Sequence, residues 1–253
     1  MIRTIFERLA RGRVIKRSLP VGQASVPIFV SPDSQLKYLR PGIEAFDAEL
    51  LQAAITLVHK DAVVWDVGAN VGVFSFAAAS LAGAQGAVLA IEADIWLAQL
   101  LRRSAALPAN KGLNVQVLPA AIAECNGVSR FVIAERGRAS NFLQAAGGWS
   151  QAGGVRELVS VPTLTLDTLL DALAPPTVLK IDVEGAEMLV LRGATRVLRE
   201  ARPVLYLEVG EQHAAAAAAL LMVAGYKLYD GRLPIEGQSP IASCTFNTIA
   251  IPC

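Results

Sequence analysis

The segment Asp66-Val-Gly68-Ala-Asn70-Val-Gly72 sets an acid, two glycines and an asparagine within seven residues at the end of an apolar run. Such a stretch turns a strand sharply into a helix and leaves backbone amides free to receive a carboxylate or phosphate. Gly68 permits the tight turn, and Asn70 is one of the few residues besides glycine that tolerates a left-handed backbone. Gly72 is expected to let the helix pack close to the strand. A dinucleotide fingerprint would need glycines at positions 68, 70 and 73, and Asn70 and Val73 occupy two of them, so a nicotinamide dinucleotide is disfavoured. Glu92 closes the next apolar run, 26 residues after Asp66, where one carboxylate can accept both hydroxyls of a ribose. Together the turn and the acid point to a nucleoside ligand without a diphosphate. The plainer reading has Asp66 capping its own turn and Glu92 facing solvent.

A second group of acids lies in Val178-Leu-Lys180-Ile-Asp182-Val-Glu184-Gly185-Ala-Glu187. Alternation along a strand puts Lys180 and Asp182 on one side. The acids fall where a strand passes into a helix, the place at which doubly wound sheets hold the reacting end of a ligand. A carboxylate there can act as base or orient a nucleophile, so Asp182 and Glu184 are the candidate catalytic pair. Glu187 reads equally as a first-turn acid that favours the helix dipole. Hard oxygen ligands suit Mg²⁺, but two acids in one turn are common and no metal is expected. Glu208 and His213 follow the next strand and are candidates to reach the same rim. Histidine titrates near neutrality, which makes His213 the alternative base. Residues 135–157, with Asn141, Phe142 and Trp149 among glycines, form a stretch long enough for a lid or acceptor-recognition loop. Tyr38 and Glu44 precede the first core strand and are expected to cover the pocket from the N-terminal side.

These residues need a sheet to position them. Ala62–Val67, Ala87–Glu92, Val115–Ile122, Thr177–Asp182, Val204–Val209, Lys227–Tyr229 and Phe246–Ile251 read as core strands, with Val128–Ala134 and Leu158–Pro162 as further ones. Helical patterns fall between them at Val73–Ala82, Ile95–Ala106, Ala186–Arg199 and Gln212–Ala224. Strands alternating with helices of this length specify an α/β fold, a doubly wound and mostly parallel sheet covered on both faces.

Composition narrows the class. The chain has 253 residues, 53% hydrophobic and 18% charged, which excludes a disordered chain, a coiled coil and a collagen-like repeat. Val67–Ile91 carries no charged side chain and is long enough for a membrane span. Gly68, Asn70, Gly72, Gly83, Gln85 and Gly86 divide it, and Asp66 and Glu92 close it without the Lys/Arg asymmetry of a span. Net charge is +1, yet residues 1–17 hold six bases against Glu7, leaving the rest at about −4, with no basic field to favour nucleic acid. Ile2, Ile5, Phe6 and Leu9 recur at helical spacing beside those bases, the pattern of a weak peripheral contact with an anionic membrane. A solvated, frayed helix is the plainer alternative. The opening residues lack the apolar core of a signal peptide, and Cys125, Cys244 and Cys253 are odd in number and widely spaced. A reducing, cytoplasmic setting is therefore expected.

The segments WDVGANVGVFS, IEAD, AAIAECNG, VPTLTLDTLL, VLKIDVEGAEMLVLRGA, PVLYLEV, AGYKLYDG and FNTIAIP, in that order and spacing, resemble the FkbM-type methyltransferases over roughly residues 28–252. KIDVEGAE is the most specific of them. The resemblance implies a class I, Rossmann-like fold with an antiparallel C-terminal strand. It further implies S-adenosylmethionine as cofactor and methylation of a hydroxyl on a sugar, glycan or other small metabolite. It assigns the methionine end to Asp66, Gly68, Ala69, Asn70 and Gly72, the ribose to Glu92 and the adenine to Ala121 and Ile122. Where the family often has an Asn or acid before the AAI-like segment and an Asp after it, this chain has Pro119-Ala120 and Glu124. Asp182 is expected nearest the methyl group, Glu184 at the acceptor hydroxyl, and Asn141, Glu208 and His213 against the acceptor. Residues 1–24 then form a basic N-terminal segment and 25–253 one domain, with a cofactor half at about 60–134, an acceptor loop at 135–157 and a catalytic half at about 158–253. Two alternatives stand beside this reading. One is a non-catalytic nucleoside-binding protein of the same fold. The other is a nucleic-acid methylase, disfavoured by the charge and by the absence of an Asn/Asp-Pro-Pro-aromatic segment after the fourth core strand.

Overall fold

The computed structural model describes residues 2–147 and 152–253, with side chains from Phe6 onward; Trp149 and the side chains of Ile2 and Ile5 lie outside the described residues. Its strands are β1 (Ile15–Val21), β2 (Ala24–Val30), β3 (Val63–Val67), β4 (Ala87–Ile91), β5 (Val115–Leu118), β6 (Ala121–Ile122), β7 (Gly127–Ala134), β8 (Phe142–Leu143), β9 (Val155–Leu164), β10 (Val178–Ile181), β11 (Val204–Glu208), β12 (Tyr226–Asp230) and β13 (Asn247–Pro252). The helices are α1 (Ile2–Ala10), α2 (Ala48–Leu57), α3 (Val73–Ala82), α4 (Ile95–Ala105), α5 (Leu166–Leu170), α6 (Glu187–Arg192) and α7 (Glu211–Val223). The main sheet runs β12-β13-β11-β10-β3-β4-β5. β3, β4, β5, β10 and β11 are parallel, and β13 pairs antiparallel with both neighbours. This is the expected doubly wound sheet with its antiparallel C-terminal strand.

Alternation divides each core strand between two cores. Val64 of β3, Val178 of β10 and Tyr206 of β11 face α2 and α3, whereas Trp65, Val67, Leu179, Ile181, Leu205 and Leu207 face α6 and α7. Asp66 and Lys180 take the same side as Val64 and Val178 by the same alternation. Helix α3 is buried nearly all round, because Phe74, Phe76 and Ala77–Ala79 meet the sheet on one side and the β1–β2 hairpin and α2 on the other. That double cover accounts for the absence of charge between Val67 and Ile91.

The hairpin is absent from the sequence reading, and the expected boundary after residue 24 cuts it, since Ala24 opens β2. Its signal is nonetheless local: the tips of IKRSLPV and ASVPIFV flank a two-residue turn at Gly22 and Gln23, with Gly22 at φ 57°. Leu19, Val21, Val26, Ile28 and Val30 join the α3 core. On α1, Phe6 and Leu9 are exposed beside Arg8. Among the described residues no helix is long and apolar enough to cross a membrane.

Two further expectations are corrected. Val115–Ile122 is not one strand: β5 ends at Leu118, and β6 pairs with β9 in a separate four-stranded sheet ordered β6-β9-β7-β8. Pro119 stands between them without an N–H to donate, so the ladder stops there. Ala186–Arg199 is not one helix either. α6 stops at Gly193, where a Cβ would lie 2.2 Å from the Ala123 carbonyl oxygen, and a separate π-helical turn follows at Val197–Ala201.

Ile28 is fully buried where the hairpin covers α3. Ile28→Ala is expected to destabilise the protein by about 2–5 kcal/mol. A urea midpoint unchanged from wild type would show that the hairpin is not part of the cooperative core.

Candidate functional site

The carboxyl ends of β3, β4 and β10 converge on the turn that follows β3. Gly68 (φ 79°) and Asn70 (φ 52°) both take the left-handed backbone, as their residue types foretell. Gly68 is further constrained by space, because a Cβ would lie 1.8 Å from the carbonyl oxygen of Asp182. Gly72 (φ 90°) answers a different need from the one expected: a Cβ there would strike Leu101 of α4 and Phe76 of its own helix, not the strand.

Beneath the turn lies an ion cluster. Lys180, 2% exposed, directs its ammonium at the Gly68 carbonyl (2.9 Å), Asp66 Oδ1 (3.1 Å) and Asp182 Oδ2 (3.2 Å). Strand register accounts for this, since Lys180 stands directly beside Asp66 on β3 and Tyr206 on β11. Burial opposes the ammonium's charge, but Asp182, Asp66 and Glu208 outweigh it and raise its pKa. Asp66 is wholly buried, and its second oxygen accepts the Ser75 hydroxyl of α3 (2.5 Å). Its carboxylate therefore supports the turn from below and does not line a cavity. The strand alternation that puts Lys180 on one side with Asp182 assigns it no role, and the structure makes it the centre of this cluster. The signal for that role was a lysine inside an apolar strand, which must be paired to be buried at all.

Two cavities open above the cluster. The first encloses about 610 Å³ of non-atom space, open solvent included. It is lined by Gly68, Asn70, Glu92, Ala121 and Ile122, five of the residues assigned to the cofactor by the family resemblance, and by Phe131, Arg138, Phe142, Leu143 and Ala186. Glu92 accepts the backbone amides of Asn70 (2.7 Å) and Asp94 (2.8 Å), one on each oxygen, and each oxygen retains a lone pair for a hydroxyl. Burial pushes the Glu92 carboxyl up to about 7, offset only in part by those amides. Arg138 bridges Asp33 and Asp94 (3.1 and 2.5 Å) and stacks over Trp96, with Arg156 completing the group on Asp33. Nothing local in its sequence marks it. Asn141 lines this same cleft, with its amide spent on Asp94 and the Ala134 backbone. The stretch after residue 135 therefore lines this first cavity through Arg138, Ala139, Asn141, Phe142 and Leu143.

The second cavity, with about 670 Å³ of empty space, is lined by Gln35, Lys37, Tyr38, Asp47, Ala69, Lys180 and Glu208. It meets the first at Gly68, Asn70, Ala139, Asp182 and Glu184, which line both. Burial first, then Asp182 and Glu187, push the Glu184 carboxyl up to about 8. Burial and Asp182 likewise push Glu208 up to about 8, with Lys180 acting in the other direction. His213 lines neither cavity: its Nδ1 lies 2.8 Å from Glu187, whose other oxygen accepts the Gly185 amide. Glu44 is exposed and lines neither as well. Among the described residues, no three His, Cys, Asp or Glu side chains are grouped to hold a metal ion.

Removing the ammonium from this cluster leaves two carboxylates facing each other under the turn. Lys180→Met is expected to lower unfolding stability by about 3–5 kcal/mol, measured by urea denaturation. A loss below about 1 kcal/mol would mean that the turn does not depend on the cluster.

Solved structures similar to this chain include three methyltransferases. Precorrin-6y C5,15-methyltransferase from Geobacter metallireducens GS-15 is 15% identical, with 79% of this chain and 83% of that one covered and a TM-score of 0.46. An FkbM methyltransferase from Methylobacillus flagellatus KT is 15% identical, with 87% of this chain and 58% of that one covered and a TM-score of 0.44. A SAM-dependent O-methyltransferase from Thermotoga maritima is 13% identical, with 96% and 78% covered and a TM-score of 0.45. No curated protein matches the sequence. The sheet and its helices form a class I, Rossmann-like methyltransferase fold. The profile of the methyltransferase FkbM domain matches residues 66–228, more than half of the chain, which therefore belongs to the FkbM family of S-adenosylmethionine-dependent methyltransferases.

Proposed function

We propose that the protein methylates a hydroxyl oxygen of a sugar, glycan or other small hydroxylated metabolite. The observation that carries this reading is the meeting of an apolar nucleoside cleft and a polar second chamber at Asp182 and Glu184. The residues present fit S-adenosylmethionine. Gly68 and Asn70 bring left-handed backbone to the cleft wall, Glu92 stands where ribose hydroxyls can bond to it, and Ala121, Ile122, Phe131 and Leu143 offer apolar walls for an adenine. When bound, the cofactor supplies an activated methyl group on a sulfonium.

The chain's own task is then alignment and proton removal. Asp182 is fixed by Lys180 at the junction of the chambers, where it can orient the acceptor oxygen. Glu184, with a carboxyl near 8, is poised to take the hydroxyl proton close to neutral pH. The free cysteines Cys125, Cys244 and Cys253 support a reducing, cytoplasmic setting.

Glu184→Gln is expected to lower kcat by about 10²–10⁴-fold, and Asp182→Asn to lower it too, while calorimetric affinity for S-adenosylmethionine changes little in either. Full turnover in both variants would sink the reading, and cofactor binding without transfer to any hydroxylated acceptor would favour a non-catalytic protein. Stability offers a second check. Glu92, Glu184 and Glu208 keep their protons in the folded state up to pH values of about 7 to 8, whereas the unfolded chain releases them above about 4.3. The folded state thus binds more protons across that window, and unfolding free energy must fall as pH rises from 5 to 9. Denaturation series should show this fall, weakened in the Glu184→Gln/Glu208→Gln double variant. An equal slope in wild type and variant would exclude these carboxyls as its source.

A further inference from the structure

The second chamber has walls that the matched methyltransferase domain does not supply. That domain begins at Asp66, yet Gln35, Lys37, Tyr38, Asp47 and Leu50 lie upstream of it. Tyr38 is 3% exposed and lines the chamber, with its ring set edge-on against Phe46 at 6.4 Å. Among the described residues its hydroxyl has no hydrogen-bond partner, although its backbone carbonyl accepts two bonds from Arg17. The side-chain oxygen of Gln35, on the same wall, is also buried without a partner. A buried amide oxygen left unpaired costs free energy. Beside it in the same lining, a phenol that bonds no described residue leaves a donor for a ligand.

The charges around the chamber define what that ligand is. Asp47, Asp182, Glu184 and Glu208 face it, against two cations. Lys37 pairs with Asp47 at 3.5 Å, and Lys180 is engaged by Asp66, Asp182 and the Gly68 carbonyl. Among the described lining residues no cation is left to receive a phosphate or carboxylate. Burial, more than the neighbouring acids, holds Glu184 and Glu208 above the ordinary carboxyl range; the ionised Asp47, Asp66 and Asp182 already engage both cations, so an anionic ligand would find no free positive charge among the described lining residues. Burial above all, with Asp47 and Asp182 opposing Lys180, raises the Tyr38 phenol, so it remains a donor.

We infer that this chamber is the acceptor subsite and that Tyr38 is an acceptor-binding residue there, hydrogen-bonding an uncharged or cationic hydroxylated acceptor in preference to a phosphorylated or carboxylated one. The inference rests on the proposed hydroxyl methylation. Tyr38 holds one acceptor oxygen from the N-terminal wall, and Glu208 faces it from the end of β11.

The test uses the full chain with methyl-labelled S-adenosylmethionine and three probes: methyl glucoside, glucosamine and glucose 6-phosphate. Tyr38→Phe keeps the ring against Phe46 and removes only the hydroxyl, so its melting curve should match wild type. It is expected to raise the acceptor KM about three- to tenfold, with cofactor affinity unchanged; Glu208→Gln, in the same chamber, should do likewise. Unchanged acceptor KM in Tyr38→Phe overturns the assignment, as does better methylation of glucose 6-phosphate than of the uncharged glucoside. If no probe is methylated, saturation-transfer NMR on protein loaded with S-adenosylhomocysteine still decides. Glucoside or glucosamine binding that is lost in Tyr38→Phe upholds the subsite while the transferase reading fails. Equal binding in both proteins, or none to wild type, overturns the subsite.

Discussion

Burying an ammonium requires that its charge be met on every side, and that requirement at Lys180 sets the geometry of the whole site. The side chain sits between β3 and β11 and collects the Asp66 carboxylate, the Asp182 carboxylate and the Gly68 carbonyl. One cation thereby fixes the end of the first core strand, the turn that follows it and the end of the fourth. Ser75 extends the arrangement into α3 by donating to Asp66. The glycine turn can approach the Asp182 carbonyl so closely only because Gly68 lacks a side chain, and the lysine holds both partners of that approach from below. The walls of the two chambers are thus not independent.

The electrostatics of the two chambers differ for reasons that begin in the strands. Glu92 is buried but satisfied by two backbone amides, which leaves it a fixed acceptor at the end of β4. Glu184 and Glu208 crowd Asp182 where β10 and β11 end. A carboxyl that is slow to give up its proton is a poor surface charge but an effective partner for a hydroxyl near neutral pH.

Much of this was legible in the residues. Alternating strand and helix patterns returned the doubly wound sheet, and the residue types at Gly68 and Asn70 foretold their left-handed backbone. Gly68, Asn70, Glu92, Ala121 and Ile122 do come together in one cleft, with Asp182 and Glu184 at its edge. Tyr38, expected over the pocket from the N-terminal side, does line the second chamber. What stayed hidden depends on contacts across long sequence separations. Arg138 meets Asp33 and Asp94 only after three distant segments fold together. His213 looked like a rim residue by its position after β11, but Glu187 draws it away. The hairpin's signal is local, apolar alternation on either side of the Gly22 turn, but it lies next to a segment whose most conspicuous residues are basic.

Pro119 carries a consequence beyond ending a strand. The chain leaves β5 in the main sheet and within three residues enters β6 in the smaller one. Gly68, Ile91 and Glu92 line the first cleft from the first sheet, while Ala121, Ile122, Phe131 and Leu143 line it from the second. The cleft is thus a seam between two sheets, stitched by a residue that cannot extend a ladder, and its width is set by how two separate layers sit together more than by the shape of either one.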